Sequence, residues 1–182
     1  MLKKFIAAAA LCASGAALAA GPAFTLGSTD VAANQKMADK QVFNGFGCTG
    51  GNVSPALAWK NAPAATKSFA LTVYDPDAPT GSGWWHWVVY NIPADTTALP
   101  ADAGSGKGLP AGAVQGRTDF GSAGWGGPCP PAGDKPHHYI FTLHALKTDK
   151  LDVPADASAA MVGFMIHANE IGKAKFTALY NR

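Results

Sequence analysis

Three stretches of the chain carry the hydrophobic pattern of β-strands, and a fourth carries that of a helix. In "KSFALTVYD" (67–75) Phe69, Leu71 and Val73 recur at every second position, as in a strand with one face on a core. "HWVVYNI" (86–92) is apolar on both sides except at His86, which predicts a strand inside a sheet. "HHYIFTLHAL" (137–146) sets His137, Tyr139, Phe141 and Leu143 on one face and His138, Ile140, Thr142 and His144 on the other. From Pro154 to Asn169 the period becomes helical: Met161, Phe164, Met165 and Ala168 recur as a stripe, and Pro154 suits an opening turn. That stripe reads as core packing. "KFTALY" (175–180) reads as a closing strand.

The segments between these elements are punctuated by turn residues. Gly45, Gly47, Gly50 and Gly51 break up residues 41–59, where Pro55 opens a short extended piece, and residues 93–117 read as a long surface connection. Twenty-one glycines and thirteen prolines in 182 residues favour a mainly β domain with many tight turns, and 48% apolar content allows a sizeable core. No repeat or linker divides the chain, so residues 20–182 are expected to form a single domain.

The first residues stand apart. "MLKKFIAAAALCASGAALAA" has two lysines, a short alanine-rich apolar stretch and Ala17-Leu18-Ala19, the pattern of a secretory signal peptide over residues 1–19 cleaved near Ala19. The stretch is too short for a membrane-spanning anchor, and no later run is long enough. Its composition suggests export to a Gram-negative periplasm. Loss of Lys3 and Lys4 leaves twelve basic against twelve acidic residues, so no basic face for nucleic acid is expected. Cys48 and Cys129 remain. In an oxidising compartment such a pair is usually bridged, the alternative being two buried free thiols.

Chemistry concentrates in three places. "DPDAP" (75–79) holds Asp75 and Asp77 in a stiff turn after a strand; alone it is an ordinary turn signal, and a place where a proline bond could be cis. His86 opens a near-continuous apolar strand and needs hydrogen-bond partners if buried. A backbone carbonyl would suffice. A carboxylate from the neighbouring strand end would instead raise its pKa and leave its other N–H for a ligand. The loop "GWGGPCPPAGDKPHHY" (124–139) is permissive and stiff at once, and could aim several amides at an oxyanion before delivering His137, His138 and Tyr139. Two histidines and a carboxylate could also bind a metal, but no His-x-x-x-His or Cys-x-x-Cys spacing supports that, and no cofactor is expected. No Gly-x-Ser-x-Gly elbow is present, and Ser54 and Ser122 sit in turn contexts. His144 and His167 read as a strand-surface and a helix-side histidine. Trp84, Trp85 and Trp87 read as pocket walls or sheet filling.

Taken in order, "DPDAP", "WHWVVYN", "GGPCPPAGDKPHHY" and "GNVSPALAW" resemble the motifs of the phosphatidylethanolamine-binding protein family, in its bacterial Raf kinase inhibitor-like branch of the YbhB/YbcL type. The resemblance runs from about residue 23 to residue 182. It implies a large antiparallel central sheet packed on a smaller sheet with a few peripheral helices, and a pocket at one end of the main sheet for phosphate-like anions. By position, Asp75, Asp77, Pro79, His86, Gly127, Pro130, Pro131, His137 and Tyr139 match the family's pocket motifs. Trp125 stands where the family has a tyrosine at the rim. Cys129 replaces a glycine of animal members, and the chain ends at Arg182 without their extra C-terminal helix, implying a more open mouth.

On this reading the histidines face the anion, Asp75 or Asp77 braces them, and the 126–131 amides and the Tyr139 hydroxyl complete the donors. The implied function is non-catalytic binding of a small anionic or phosphorylated ligand. A protein-directed modulator, acting on a protease or another protein partner, is the alternative, and a hydrolase the third possibility.

Overall fold

The computed structural model describes residues 21–182 except residue 155, so the signal-peptide reading of residues 1–19 lies outside the described residues. Ten strands and one α-helix follow in chain order. They are β1 (Thr25–Gly27), β2 (Asn44–Gly45), β3 (Cys48–Thr49), β4 (Leu57–Lys60), β5 (Ser68–Asp75), β6 (Trp84–Pro93), β7 (Ala98–Leu99), β8 (Val114–Gln115), β9 (His137–Leu146), α1 (Ala159–Asn169) and β10 (Glu170–Tyr180). The large sheet is antiparallel with strand order β10-β9-β5-β6-β8. A three-stranded sheet, β1-β4-β7, and the hairpin β2-β3 complete the β-structure. This is the mainly β architecture expected, with one α-helix among the described residues where a few were implied.

The alternation read from the sequence decides which way each strand faces. Phe69, Leu71 and Val73 of β5, Trp87 of β6 and Tyr139, Phe141 and Leu143 of β9 form one buried cluster with Leu57, Trp59 and Leu99 of the smaller sheet. Phe141 stacks on Phe176, its cross-strand partner in β10, at 4.7 Å between centroids. Such pairs reinforce a register that burial already sets. The opposite face of the sheet, at Ala70, Val88 and Leu146, is covered by α1 through Ala159, Val162 and Ile166.

The helix and His144 depart from the pattern read in the sequence. The helix begins at Ala159 rather than Pro154, because Ser158 supplies the cap: its hydroxyl accepts the Met161 amide at 3.2 Å. Its buried stripe is Ala159, Val162 and Ile166, with Met165 of the expected stripe packed partly against it, whereas Met161 and Phe164 are 49% and 69% exposed. The segment "AAMVGFMIHAN" is apolar on nearly every side, so helical spacing alone admits either stripe, and the sheet takes the one that runs through Ala159, Val162 and Ile166. His144 is buried rather than on the strand surface; its Nδ1–H donates to Glu170 at 2.5 Å and its Nε2 accepts from the Thr72 hydroxyl at 3.2 Å.

Residues 93–117 are more than a surface connection, since they contain β7, a 3₁₀ turn at Ala103–Ser105 and β8, and they bury Ala103 and Gly104. No peptide bond among the described residues is cis, the proline bonds of "DPDAP" included. Nor is any helix among them long and apolar enough to cross a membrane.

Candidate functional site

The end of β5, the start of β6 and the loop entering β9 meet around a cleft of about 150 Å³. That is smaller than the ~300–1,000 Å³ of sites for drug-sized ligands, and suits a small group or one end of a larger molecule. Of the residues singled out from sequence, Asp75, Pro79, His86, Pro130, Pro131, His137 and Tyr139 line this cleft; Asp77, Trp125 and Gly127 do not.

Asp75 ends β5 with both carboxylate oxygens committed. One accepts the Asp77 amide at 2.8 Å, closing the turn of "DPDAP"; the other accepts Nδ1–H of His137, also at 2.8 Å. Aspartate and imidazole are both buried. Burial by itself would lower the His137 pKa, but the hydrogen bond and charge of Asp75, joined by Asp134 at 3.3 Å from Nε2, outweigh it and raise the value above 6.5. Asp77 works outside the cleft. Its Oδ2 accepts the His138 amide and the His138 Nδ1–H, each at 2.8 Å, tying the turn to β9. Partial burial raises the Asp77 carboxyl, and the His138 hydrogen bonds more than reverse that, leaving it below its ordinary value.

Of the two partners open to His86, a backbone carbonyl and a carboxylate, it takes the carbonyl. Val73 pairs with Trp87 and Tyr74 with Trp85, so His86 is the extra residue of a β-bulge. The bulge presents its ring to the loop. Nδ1–H donates to the Gly126 carbonyl at 2.6 Å, and the His86 carbonyl accepts the Gly126 amide at 2.9 Å. Burial drives its pKa down to about 4 against the opposing pull of that carbonyl and of Asp75. The imidazole is therefore neutral at neutral pH. With the proton on Nδ1, Nε2 carries a lone pair and is an acceptor.

Tyr139 packs edge-on against His86, 5.0 Å between ring centroids. It is fully buried, and its hydroxyl has no hydrogen-bond partner. Burial and the charge of Asp75 push the phenol well above its usual pKa, so it remains protonated and able to donate.

The loop contributes shape more than donors. Pro128, Pro130 and Pro131 have no N–H, the Gly126 amide serves His86, and the Gly127 amide donates to Asn52 Oδ1 at 2.8 Å. Among the described residues only Cys129, within 126–131, has an amide without a partner. The expected cradle of several amides is thus reduced to one. Gly127 is a packing glycine: a Cβ there would lie 2.0 Å from the Gln41 carbonyl oxygen. Trp125 is in the core rather than at the rim, stacked on Phe141 with its indole N–H on the Gln41 carbonyl at 3.1 Å.

Of the aromatic wall, sequence reasoning named Trp84 but missed Phe46 and Phe120. Phe46, Trp84 and Phe120 line the cleft, with Trp84 edge-on to Phe120 at 5.4 Å and Phe120 edge-on to His86 at 5.5 Å. Phe46 lies between Gly45 and Gly47 in a loop with no hydrophobic period to reveal it. Cys48 and Cys129 are joined by a disulfide, so the Phe46 turn and the proline loop are one body. Arg182 reinforces the join through the carbonyls of Pro130 and Gly47, at 2.7 and 3.0 Å. Among the described residues no three His, Cys, Asp or Glu side chains are placed so that they could hold a metal ion.

Residues 28–181 match the phosphatidylethanolamine-binding protein family. The UPF0098 protein YbcL of Escherichia coli is 58% identical over 160 residues, 87% of each chain, and UPF0098 protein YbhB of the same organism is 53% identical over 85% of this chain and 98% of its own. The crystal structure of E. coli YbcL, described as a new member of the mammalian family, superposes with a TM-score of 0.85 at 57% identity. It covers 87% of this chain and 98% of that one.

Proposed function

Because the chain belongs to the phosphatidylethanolamine-binding protein family, we propose that the cleft of Asp75, His86, His137 and Tyr139 is a reversible, non-catalytic site for the phosphoryl group of a small ligand. The observation that carries this reading is the Tyr139 hydroxyl, buried without a partner on a residue that lines the cleft beside the His137–Asp75 pair. A buried donor left unpaired is costly, and a ligand oxygen removes the cost.

The donor and acceptor inventory fits a partly protonated phosphoryl group. His137 and Tyr139 donate to its unprotonated oxygens, while the neutral His86 Nε2 accepts its P–OH. Repulsion from Asp75 is moderated because both its oxygens are already bonded. Asp134 is 42% exposed at its side chain and free to leave His137 Nε2 to the ligand. No residue of the cleft is arranged as an activated nucleophile; the Thr80 hydroxyl donates to the Gly83 carbonyl at 2.6 Å. We place the protein in the periplasm, on the support of the N-terminal sequence pattern alone.

Calorimetric titration of inorganic phosphate and phosphoethanolamine tests the proposal. Donation by charged His137 is present below its raised pKa and disappears as pH rises through it, so affinity is expected to fall toward alkaline pH. Tyr139→Phe is expected to weaken phosphate about tenfold, the loss of one charge-assisted hydrogen bond. The same variant is expected to be at least as stable as the parent in urea, because it deletes an unsatisfied polar atom. Flat binding across pH, or full affinity in Tyr139→Phe, is the result against the proposal.

A further inference from the structure

A second cleft, of about 330 Å³, adjoins the first. Phe46 and Phe120 line both, so their rings form a shared wall. The character of the two sides differs. No charged side chain lines the second cleft, whose polar groups include Ser105, Thr118 and Ser122. The Ser105 hydroxyl already donates to the Asp102 carbonyl, and the Thr118 hydroxyl to the Ser122 carbonyl, both at 2.8 Å. With those protons committed, the Ser105 oxygen is left as an acceptor, and the Thr118 oxygen, which already accepts the Phe120 amide at 3.3 Å, keeps one lone pair. Phe43 stands 4.5 Å from Phe120 between centroids and extends the apolar wall on this side.

Phe46 itself is in an unusual state. It is 68% exposed and holds a left-handed backbone, φ 53°, which bulky residues rarely adopt. The turn is kept there from outside: the disulfide follows two residues later, and Arg182 donates to the Gly47 and Phe46 carbonyls at 3.0 and 3.4 Å. An exposed ring fixed at the junction of an ionic cleft and a neutral, acceptor-rich one is placed to stack on the apolar face of a ligand that spans them.

We propose that the two clefts form one bipartite site for a phosphate ester whose alcohol portion is neutral and polyhydroxylated, a polyol or a sugar. This rests on the reading of the first cleft as the phosphoryl site. The ligand's hydroxyls donate to Ser105 and Thr118 while its C–H face lies on Phe46 and Phe120. An amino-alcohol gains nothing in the second cleft, since no carboxylate lines it to receive an ammonium. Free polyol phosphates and lipids with a glycerol or inositol head group present the same chemistry.

Calorimetry on the disulfide-intact chain with inorganic phosphate, ethyl phosphate, phosphoethanolamine and inositol monophosphate is the test. Inositol monophosphate is expected to bind about tenfold more tightly than ethyl phosphate, and phosphoethanolamine no more tightly than ethyl phosphate. In Ala123→Trp, which fills the second cleft from an exposed position, the inositol-to-ethyl ratio is expected to collapse toward one. Phe46→Ala is expected to reduce the same ratio. Phosphate and ethyl phosphate binding with no gain from inositol, or a gain that survives Ala123→Trp, overturns the bipartite site and leaves the phosphoryl site standing. Failure of all four probes overturns both. Co-sedimentation with vesicles containing phosphatidylglycerol or phosphatidylserine separates the sources: preference for the former identifies a lipid head group, and no vesicle binding identifies a soluble ester.

Discussion

His86 and His137 border the same cleft, yet their protons are pulled in opposite directions. Burial against a single carbonyl lowers His86 to about 4, while two carboxylates raise His137 despite its burial. The consequences for stability have opposite signs. Between about 4 and the unfolded value near 6.5, the unfolded chain binds more protons at His86 than the native one, so stability rises with pH. Buried His144, also lowered, adds to this limb. Above 6.5 the native state holds the proton of His137 longer than the unfolded chain does, so its contribution is lost as pH rises through the folded pKa. Urea midpoints measured against pH are expected to peak near the unfolded histidine value. His86→Asn, whose amide can still donate to Gly126, is expected to make the acidic limb shallower, leaving the share of His144, and to spare the alkaline one. At this scale the chemistry was legible in part. The sequence placed His137, Asp75 and His86 as candidates, but which imidazole would meet the carboxylate depended on a bulge that no residue type announces.

At the scale of elements, strand positions follow from alternation because one-sided burial enforces a period of two; residues 137–146 coincide with β9 and residues 67–75 differ from β5 at a single end. The bulge is where the rule fails. Strict alternation puts Trp85 and Trp87 on one face, whereas the extra residue at His86 sends Trp87 into the inter-sheet core and Trp85 to the helix side, with Trp84 left at the cleft. The helix shows a second failure, since a segment apolar nearly all round has no unique buried stripe. Its energetics follow from the stripe observed. Ile166→Ala is expected to cost about 2–5 kcal/mol, and Ser158→Ala about 1 kcal/mol through the lost cap. Phe164→Gln, on the exposed face, is expected to stay within about 0.5 kcal/mol. Urea titration of the three variants checks the order; a large loss in Phe164→Gln would restore the stripe expected from spacing.

For the molecule as a whole, the cleft depends on joining segments that are remote in sequence. The glycine-rich turn and the proline-rich loop could each be recognised, but their contact could not, because neither has a period and they stand 81 residues apart. The cysteine pair was the one link visible in advance. Closing a loop of that length removes unfolded-state freedom worth about 4.5 kcal/mol in the chain-entropy account. Reductant is therefore expected to lower urea stability by up to that amount. Arg182 acts on the same contact, bonding to Pro130 on one side and to Gly47 and Phe46 on the other. Two fastenings on one joint are not additive. With the disulfide closed, the joint is already held, and Arg182→Ala is expected to cost about 0.5 kcal/mol. With it open, the guanidinium shares the joint with the Phe43 amide on the Pro128 carbonyl and the Gly127 amide on Asn52, and the same substitution is expected to cost about 1–2 kcal/mol. A thermodynamic cycle of Arg182→Ala against the Cys48→Ala/Cys129→Ala pair measures the coupling. Equal costs in the two backgrounds would mean that the turn and the loop are positioned by their packing alone.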